Sequence, residues 1–139
     1  MVRRLDHVAI LVPNLAAAAA KYRRLLGIEL RGIEDQPEFD VRVGFLDVGG
    51  VRLELVQPNA DTGSLAEFLR KRGGGLHHLA FVVDDLEAEL ARLRAEGARL
   101  VDQEPRPGAH GSRVAFVHPK DLDGVLVELV QPAGDAGGA

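Results

Sequence analysis

The sequence contains no cysteine. Disulfide frameworks, thiolate metal sites and cysteine nucleophiles are therefore excluded, and any metal must be held by imidazole nitrogen and oxygen. Long apolar runs are missing as well. Stretches such as Leu15 to Ala20 fall far short of the roughly 20 residues that cross a bilayer, so no membrane span is expected. Nor is there an excess of positive charge: the net charge of -4 argues against a general nucleic-acid surface, which needs clustered Lys and Arg. Arg70-Lys71-Arg72 reads as a solvated helix end rather than a phosphate site. The opening residues, with Arg3, Arg4 and Asp6 around Leu5, resemble neither a signal peptide nor a transit peptide. A cytoplasmic protein is expected.

What is present fits one globular domain over residues 1–139, with 46% hydrophobic and 27% charged residues. Its organising feature is an internal duplication. Asp6-His7-Val8-Ala9-Ile10-Leu11-Val12 lies over His77-His78-Leu79-Ala80-Phe81-Val82-Val83 at an offset of 71, and Val43-Gly44-Phe45-Leu46 lies over Val114-Ala115-Phe116-Val117 at the same offset. Further on, Glu54-Leu55-Val56-Gln57-Pro58 recurs unchanged as Glu128-Leu129-Val130-Gln131-Pro132, at an offset of 74. The three extra residues fall in His118–Gly124.

Each copy carries the same string of elements. A β-branched alternating run opens it, at 5–12 and 76–83. Asn14, and Asp84 or Asp85, cap helices that run to Gly27 and Gly97. Strands at 28–33, 41–48 and 51–57 follow in the first copy, and at 98–103, 113–118 and 125–131 in the second. The spacing predicts an α+β fold of two βαβββ modules, at about 4–58 and 75–132. A linker helix at about 62–73 opens on a Ser64-x-x-Glu67 capping box, and a frayed tail covers 133–139. A module of this size is too small to hold a core alone, so the two are expected to act as one unit.

Strand alternation assigns a side to each polar residue. Val8, Ile10 and Val12 share one face and His7 takes the other; Leu79, Phe81 and Val83 share one face and His78 takes the other. Leu53 and Leu55 oppose Glu54, and Val127 and Leu129 oppose Glu128. If the apolar rows lie under the helices, all four polar residues fall on the open face. An unpaired carboxylate inside a Val/Leu run is strongly penalised, and the same residue types recur at matched positions. His7, Glu54, His78 and Glu128 are therefore the candidate ligands of one divalent cation, a donor set suited to Co²⁺, Mn²⁺, Zn²⁺, Ni²⁺ or Fe²⁺. His77 alternates to the other face and reads as a supporting residue. His110 and His118 lie in loops of the second copy without equivalents in the first.

A paired βαβββ arrangement with His early and Glu late in each copy resembles the vicinal oxygen chelate superfamily, whose members form a glyoxalase-like cup. The segments Leu5–Ala9, Gly75–Phe81, Asp102–Gly111, Phe116–Lys120 and Gly124–Leu129 are most similar to those of methylmalonyl-CoA epimerases. The resemblance implies His7, His78 and Glu128 as metal ligands, with Glu54 at a position filled by Glu or Gln. It implies an isomerase acting on methylmalonyl-CoA or a related 2-substituted malonyl-CoA, with Glu128 as acid/base; the repeat adds Glu54 as its opposite-face partner. His110, Gly111 and Ser112, in a loop rich in backbone donors, and Lys120 are the candidate substrate-binding residues. A homodimer is also implied. One departure stands out: Pro37-Glu38-Phe39-Asp40-Val41 replaces the usual Pro-Glu-Gln-Gly-Val, and Val43 stands where some members place a second catalytic carboxylate. A glyoxalase-like lactoylglutathione-type isomerase and a metal-free ligand-sequestering resistance protein are the alternative readings.

Overall fold

The alternating apolar run of the first copy forms strand β1 (Val2–Leu11), and Asn14 starts helix α1 (Leu15–Leu26) by accepting the Ala17 amide at 2.9 Å. Gly27 ends that helix at φ 71°, a left-handed conformation that suits a residue without Cβ, and its N–H returns to the Arg23 carbonyl. Strands β2 (Leu30–Gln36), β3 (Val41–Val48) and β4 (Val51–Pro58) follow, then helix α2 (Ser64–Arg72). The second copy gives β5 (Gly75–Val83), α3 (Leu86–Ala95), β6 (Arg106–Pro107), β7 (Arg113–Val117) and β8 (Val127–Gln131). This computed structural model describes residues 1–134; the tail expected to fray lies, from Asp135 onward, outside the described residues. No helix among the described residues is long and apolar enough to cross a membrane.

The chain divides into two compact units, one of His7–His77 and one of Met1–Asp6 together with His78 onward. In the first, the strand order is β2-β3-β4-β1, with β1 and β4 parallel and the other neighbours antiparallel. In the second it is β5-β8-β7-β6, with β5 and β8 parallel. Each unit thus repeats the same pairing scheme. The opening residues of β1 belong with the second unit, where Arg3 donates to Asp84 at 2.7 Å and the N-terminal ammonium pairs with Glu89 of α3.

Each unit has its own core. Val12, Leu15, Ala19, Leu46 and Leu55 cluster in the first, with Ile10 and Leu53 against them; Val83, Leu86, Leu90, Ala115, Val117, Val127 and Leu129 cluster in the second, with Phe81 against them. The apolar rows of the strands therefore lie under the helices, as strand alternation predicts. A further device is common to both. The side-chain oxygen of Gln57 accepts the Leu15 amide at 2.7 Å, and that of Gln131 accepts the Leu86 amide at 2.8 Å. Each glutamine lies three residues after the candidate Glu on the same strand, and each holds the first turn of the helix in its own unit.

Three expectations are corrected. The strand expected at 98–103 is absent as a regular strand: the segment makes one bridge, Leu100 to Val117, and the ladder resumes only at Arg106–Pro107. The reason is local. Asp102 places a carboxylate oxygen on the Phe116 amide at 2.9 Å, taking up a donor that a neighbouring strand would use, and Pro105 and Pro107 lack N–H groups. Second, the capping box does not form; Gly63 is the N-cap of α2 with no side-chain hydrogen bond, and Ser64 lies inside the helix. Third, the strand face bearing the histidines is enclosed rather than open, since Ala9, Leu11 and Ala80 are fully buried.

The three extra residues of the second copy are accounted for by its β7–β8 connection. A two-residue turn, Gly49-Gly50 at φ 57° and 89°, joins β3 to β4, whereas β7 and β8 are joined through a short 3-10 turn at Pro119–Leu122.

Candidate active site

In the first unit the parallel register of β1 and β4 sets Ala9 opposite Glu54. His7 is two residues from Ala9 and so shares its face, which makes His7 and Glu54 diagonal neighbours. Their side chains meet, with His7 Nδ1 3.2 Å from Glu54 Oε2 and both only 6% exposed. Arg52, also on that face, donates to the same oxygen from Nε at 3.2 Å and Nη2 at 2.9 Å. Its guanidinium carbon lies 5.3 Å from the ring centre of Phe45, the residue opposite Glu54 on β3.

The second unit repeats the construction. Ala80 is opposite Glu128 on β8, and His78 Nε2 lies 3.0 Å from Glu128 Oε1. Phe116, opposite Glu128 on β7, meets the His78 ring edge-on at 5.1 Å between centroids. Phe45 and Phe116 are equivalent in the duplication, as are Ala9 and Ala80. One difference stands out: the residue equivalent to Arg52 is Leu126.

Burying a carboxylate is costly unless positive or hydrogen-bonding partners surround it, and each Glu here has an imidazole against it. The donor chemistry fits a divalent cation. Each unit offers one imidazole nitrogen and one carboxylate oxygen at 3.0–3.2 Å, the separation of neighbouring ligand atoms that are each bonded at about 2.0–2.2 Å to one ion.

The remaining candidates fall in two places. His110, Gly111 and Ser112 occupy one tight loop. His110 (φ 55°) and Gly111 (φ 74°) are both left-handed, and the loop is closed by Gly108 N to Ser112 O at 2.9 Å. A side chain at Gly108 would meet Val114 and Ser112 at 2.6 and 2.7 Å, so the loop's first residue has no room for a Cβ. Ser112 is buried, while His110 and Gly111 are exposed. Lys120 is exposed on the separate turn before β8, and its backbone N–H is accepted by His118 Nδ1 at 3.1 Å, which gives His118 a capping role. His77 meets Phe68 of α2 edge-on at 5.3 Å and supports the linker helix. Val43 is buried on β3, opposite Glu34 and Val56.

Arg52, Phe45 and Phe116 were not singled out from sequence. The signal for the two phenylalanines was their place in the repeat. For Arg52 it was a basic residue two positions before a buried Glu on the same strand face.

The fold and site thus define a duplicated βαβββ protein with a His–Glu pair in each copy, whose two glutamates are buried. The profile of the Glyoxalase/Bleomycin resistance protein/Dioxygenase superfamily matches residues 6–116. The ethylmalonyl-CoA/methylmalonyl-CoA epimerase of Cereibacter sphaeroides is 46% identical over 94% of this chain and 99% of its own length. Among solved structures, a methylmalonyl-CoA epimerase from Mycobacterium tuberculosis superimposes with a TM-score of 0.90 at 41% identity, covering 99% of this chain and 93% of that one. A methylmalonyl-CoA epimerase in complex with methylmalonyl-CoA and NH4+ superimposes with a TM-score of 0.90 at 37% identity, covering 96% of this chain and 97% of that one. The chain belongs to this superfamily and, within it, to the methylmalonyl-CoA epimerase family.

Proposed function

We propose that this protein is a metal-dependent epimerase that interconverts the 2R and 2S forms of methylmalonyl-CoA or a closely related 2-substituted malonyl-CoA. The observation that carries the reading is the His–Glu pair at the same place in both copies, in a chain 46% identical over nearly its full length to an epimerase of this substrate class. The glyoxalase-like isomerase and the metal-free sequestering protein are less well supported by that likeness.

His7, Glu54, His78 and Glu128 are proposed to hold one divalent cation, Co²⁺ in the first place, with Mn²⁺, Zn²⁺ and Ni²⁺ suited to the same donors. When bound, the cation supplies Lewis-acid stabilisation of negative charge on the thioester oxygen, an effect worth several kcal/mol. The ionised Glu128 would offset part of its charge, and the burial of Glu54 and Glu128 strengthens electrostatic interactions beside them.

Inversion at carbon 2 needs one proton taken and one returned to the other side. Glu128 takes the proton at a carboxylate oxygen, and Glu54, which must carry a proton as the turnover begins, returns it to the opposite face from the equivalent position in the other copy. Glu128 ends the half-reaction protonated and Glu54 deprotonated. Exchange with solvent, or turnover in reverse, restores the pair. The Gly108–Arg113 segment, through His110, Gly111 and Ser112, is proposed to hold the substrate's polar groups, and Lys120 to meet the phosphates of CoA. A cytoplasmic location and a homodimer, both expected from the sequence, belong to the same proposal; cell fractionation and sedimentation test them.

The decisive experiment incubates metal-loaded protein with (2R)-methylmalonyl-CoA in heavy water and follows deuterium at carbon 2. Wild type should incorporate deuterium as the 2S form appears, and Glu128→Gln should be slower by at least about 100-fold, the usual worth of a general base. Absence of exchange in wild-type protein shown to carry metal would refute the assignment for this substrate.

A further inference from the structure

Phe116 lies directly opposite Glu128 and edge-on to the His78 ring, at 5.1 Å between centroids, so its position bears on both members of the second unit's His–Glu pair. Its backbone N–H and carbonyl are turned away from β8. The carbonyl accepts the Val101 amide at 2.9 Å, and the N–H donates to a carboxylate oxygen of Asp102 at 2.9 Å. Phe116 and Glu128 therefore form a non-hydrogen-bonded pair of the antiparallel ladder, the kind whose side chains approach most closely. Phe116 is held from its outer side by the 101–102 segment.

The two copies reach this arrangement by different means. Phe45, the equivalent of Phe116, has a strand partner on its outer side, Gly32 of β2. The second copy has the single Leu100–Val117 bridge in place of a regular strand, and there a side chain takes the donor that a strand would take. Asp102 is 9% exposed, and a carboxylate is kept at such depth only with good partners. Its other oxygen lies 3.3 Å from Nη1 of Arg106 on β6, so one carboxylate ties Phe116 to the strand that leads into the Gly108–Ser112 loop. We propose that Asp102 is a positioning residue for the second unit's His–Glu pair: by gripping the Phe116 amide it sets the phenyl ring against the His78 imidazole and so holds His78 in the orientation that meets Glu128. This rests on the metal ligand set proposed above and deepens it.

The experiment titrates full-length protein with Co²⁺ and follows binding by calorimetry and by visible absorption, which reports the geometry of the ligands. Asp102→Ala removes the acceptor. It should weaken Co²⁺ by about tenfold or more, the usual effect of losing a group that orients a metal ligand, and alter the absorption of the bound ion. Asp102→Asn keeps a carbonyl oxygen for the Phe116 amide and should stay within about threefold of wild type. Phe116→Leu should lose about as much as Asp102→Ala, and the double variant no more than either alone, because both changes act on one path. If Asp102→Ala does not fold, Asp102→Ser is read in the same way, and Phe116→Leu tests the ring contact with Asp102 intact.

A merely structural Asp102 predicts a lower melting temperature, with Co²⁺ affinity and absorption unchanged well below it; that result would overturn the assignment of Asp102 alone. Additive losses in the double variant, or an unchanged affinity in Phe116→Leu, would do the same. Wild-type protein that binds no Co²⁺ would overturn the metal reading and this inference with it.

Discussion

Gln131→Ala tests whether the repeated Glu-Leu-Val-Gln-Pro segment is a structural device as well as a carrier of the candidate Glu. In the folded protein the Gln131 side-chain oxygen accepts the amide of Leu86, the first residue of α3, and Leu86 is fully buried. That N–H is one of the orphan donors of the helix N-terminus, and truncating Gln131 leaves it without this acceptor. An unsatisfied buried donor costs about 1–3 kcal/mol. For a chain of 139 residues, the usual unfolding entropy per residue converts each kcal/mol into roughly 3 °C, so a fall of about 3–10 °C is expected. Urea unfolding of wild type, Gln131→Ala and Gln131→Glu is the assay. Only an acceptor is needed at this helix end and a carboxylate suits the N-terminal dipole, so Gln131→Glu should stay within about 1 kcal/mol of wild type at neutral pH. Gln57→Ala should behave alike, since Gln57 bonds Leu15 at the start of α1 in the same manner. A loss below about 0.3 kcal/mol in both alanine variants would refute the reasoning, as would a Glu variant as damaged as the Ala one.

Two further outcomes concern the framework. The pKa of Glu89 is lowered chiefly by its hydrogen bond from the N-terminal ammonium, opposed by burial and aided by Arg92. Such a group stabilises the fold above its ordinary titration range and loses that contribution as pH falls through the depressed folded value. Glu89→Gln should therefore be less stable than wild type at neutral pH, with the gap closing in strong acid; denaturant melts at both pH values check this, and a constant gap would count against it. At Gly44 a Cβ would stand 2.8 Å from Leu15 Cδ1 and 2.9 Å from Leu30 Cδ1, while the equivalent Ala115 is accommodated fully buried. Gly44→Ala should cost about 1–3 kcal/mol by overpacking. Ala115→Gly should cost about 1–2 kcal/mol through a lost methyl contact and added chain entropy, and the two costs are read by thermal melts.

Much of the framework was legible because a period of two is a local property. Whether His7 shares a face with Ala9, or Glu54 opposes Leu53 and Leu55, follows from the order of residues, and both core clusters bear this out. The helix ends at Asn14, Gly27 and Asp85 were equally readable, since a cap needs only its own few residues. Ser64-x-x-Glu67 misled for the complementary reason. The motif was present, but the chain entered α2 through Gly63 at φ 99°, a backbone choice that a side-chain pattern does not encode. The 98–103 segment failed as a strand because Asp102 took the Phe116 amide, and that partner lies 14 residues away in sequence.

The sequence by itself determined the duplication, the strand faces and the four candidate ligands, because symmetry-related positions in repeated strands expose an unusual polar choice without any structure. The tertiary fold decided how those residues are partnered. The parallel registers of β1 with β4 and β5 with β8 put each imidazole against its carboxylate, through Nδ1 in one unit and Nε2 in the other. Register also placed Arg52 beside His7 and Phe45 beside the guanidinium, giving one copy a positive charge that the other lacks. Strand pairing between distant segments is a non-local event, and alternation along one strand fixes which face a side chain takes but not which residue it meets there.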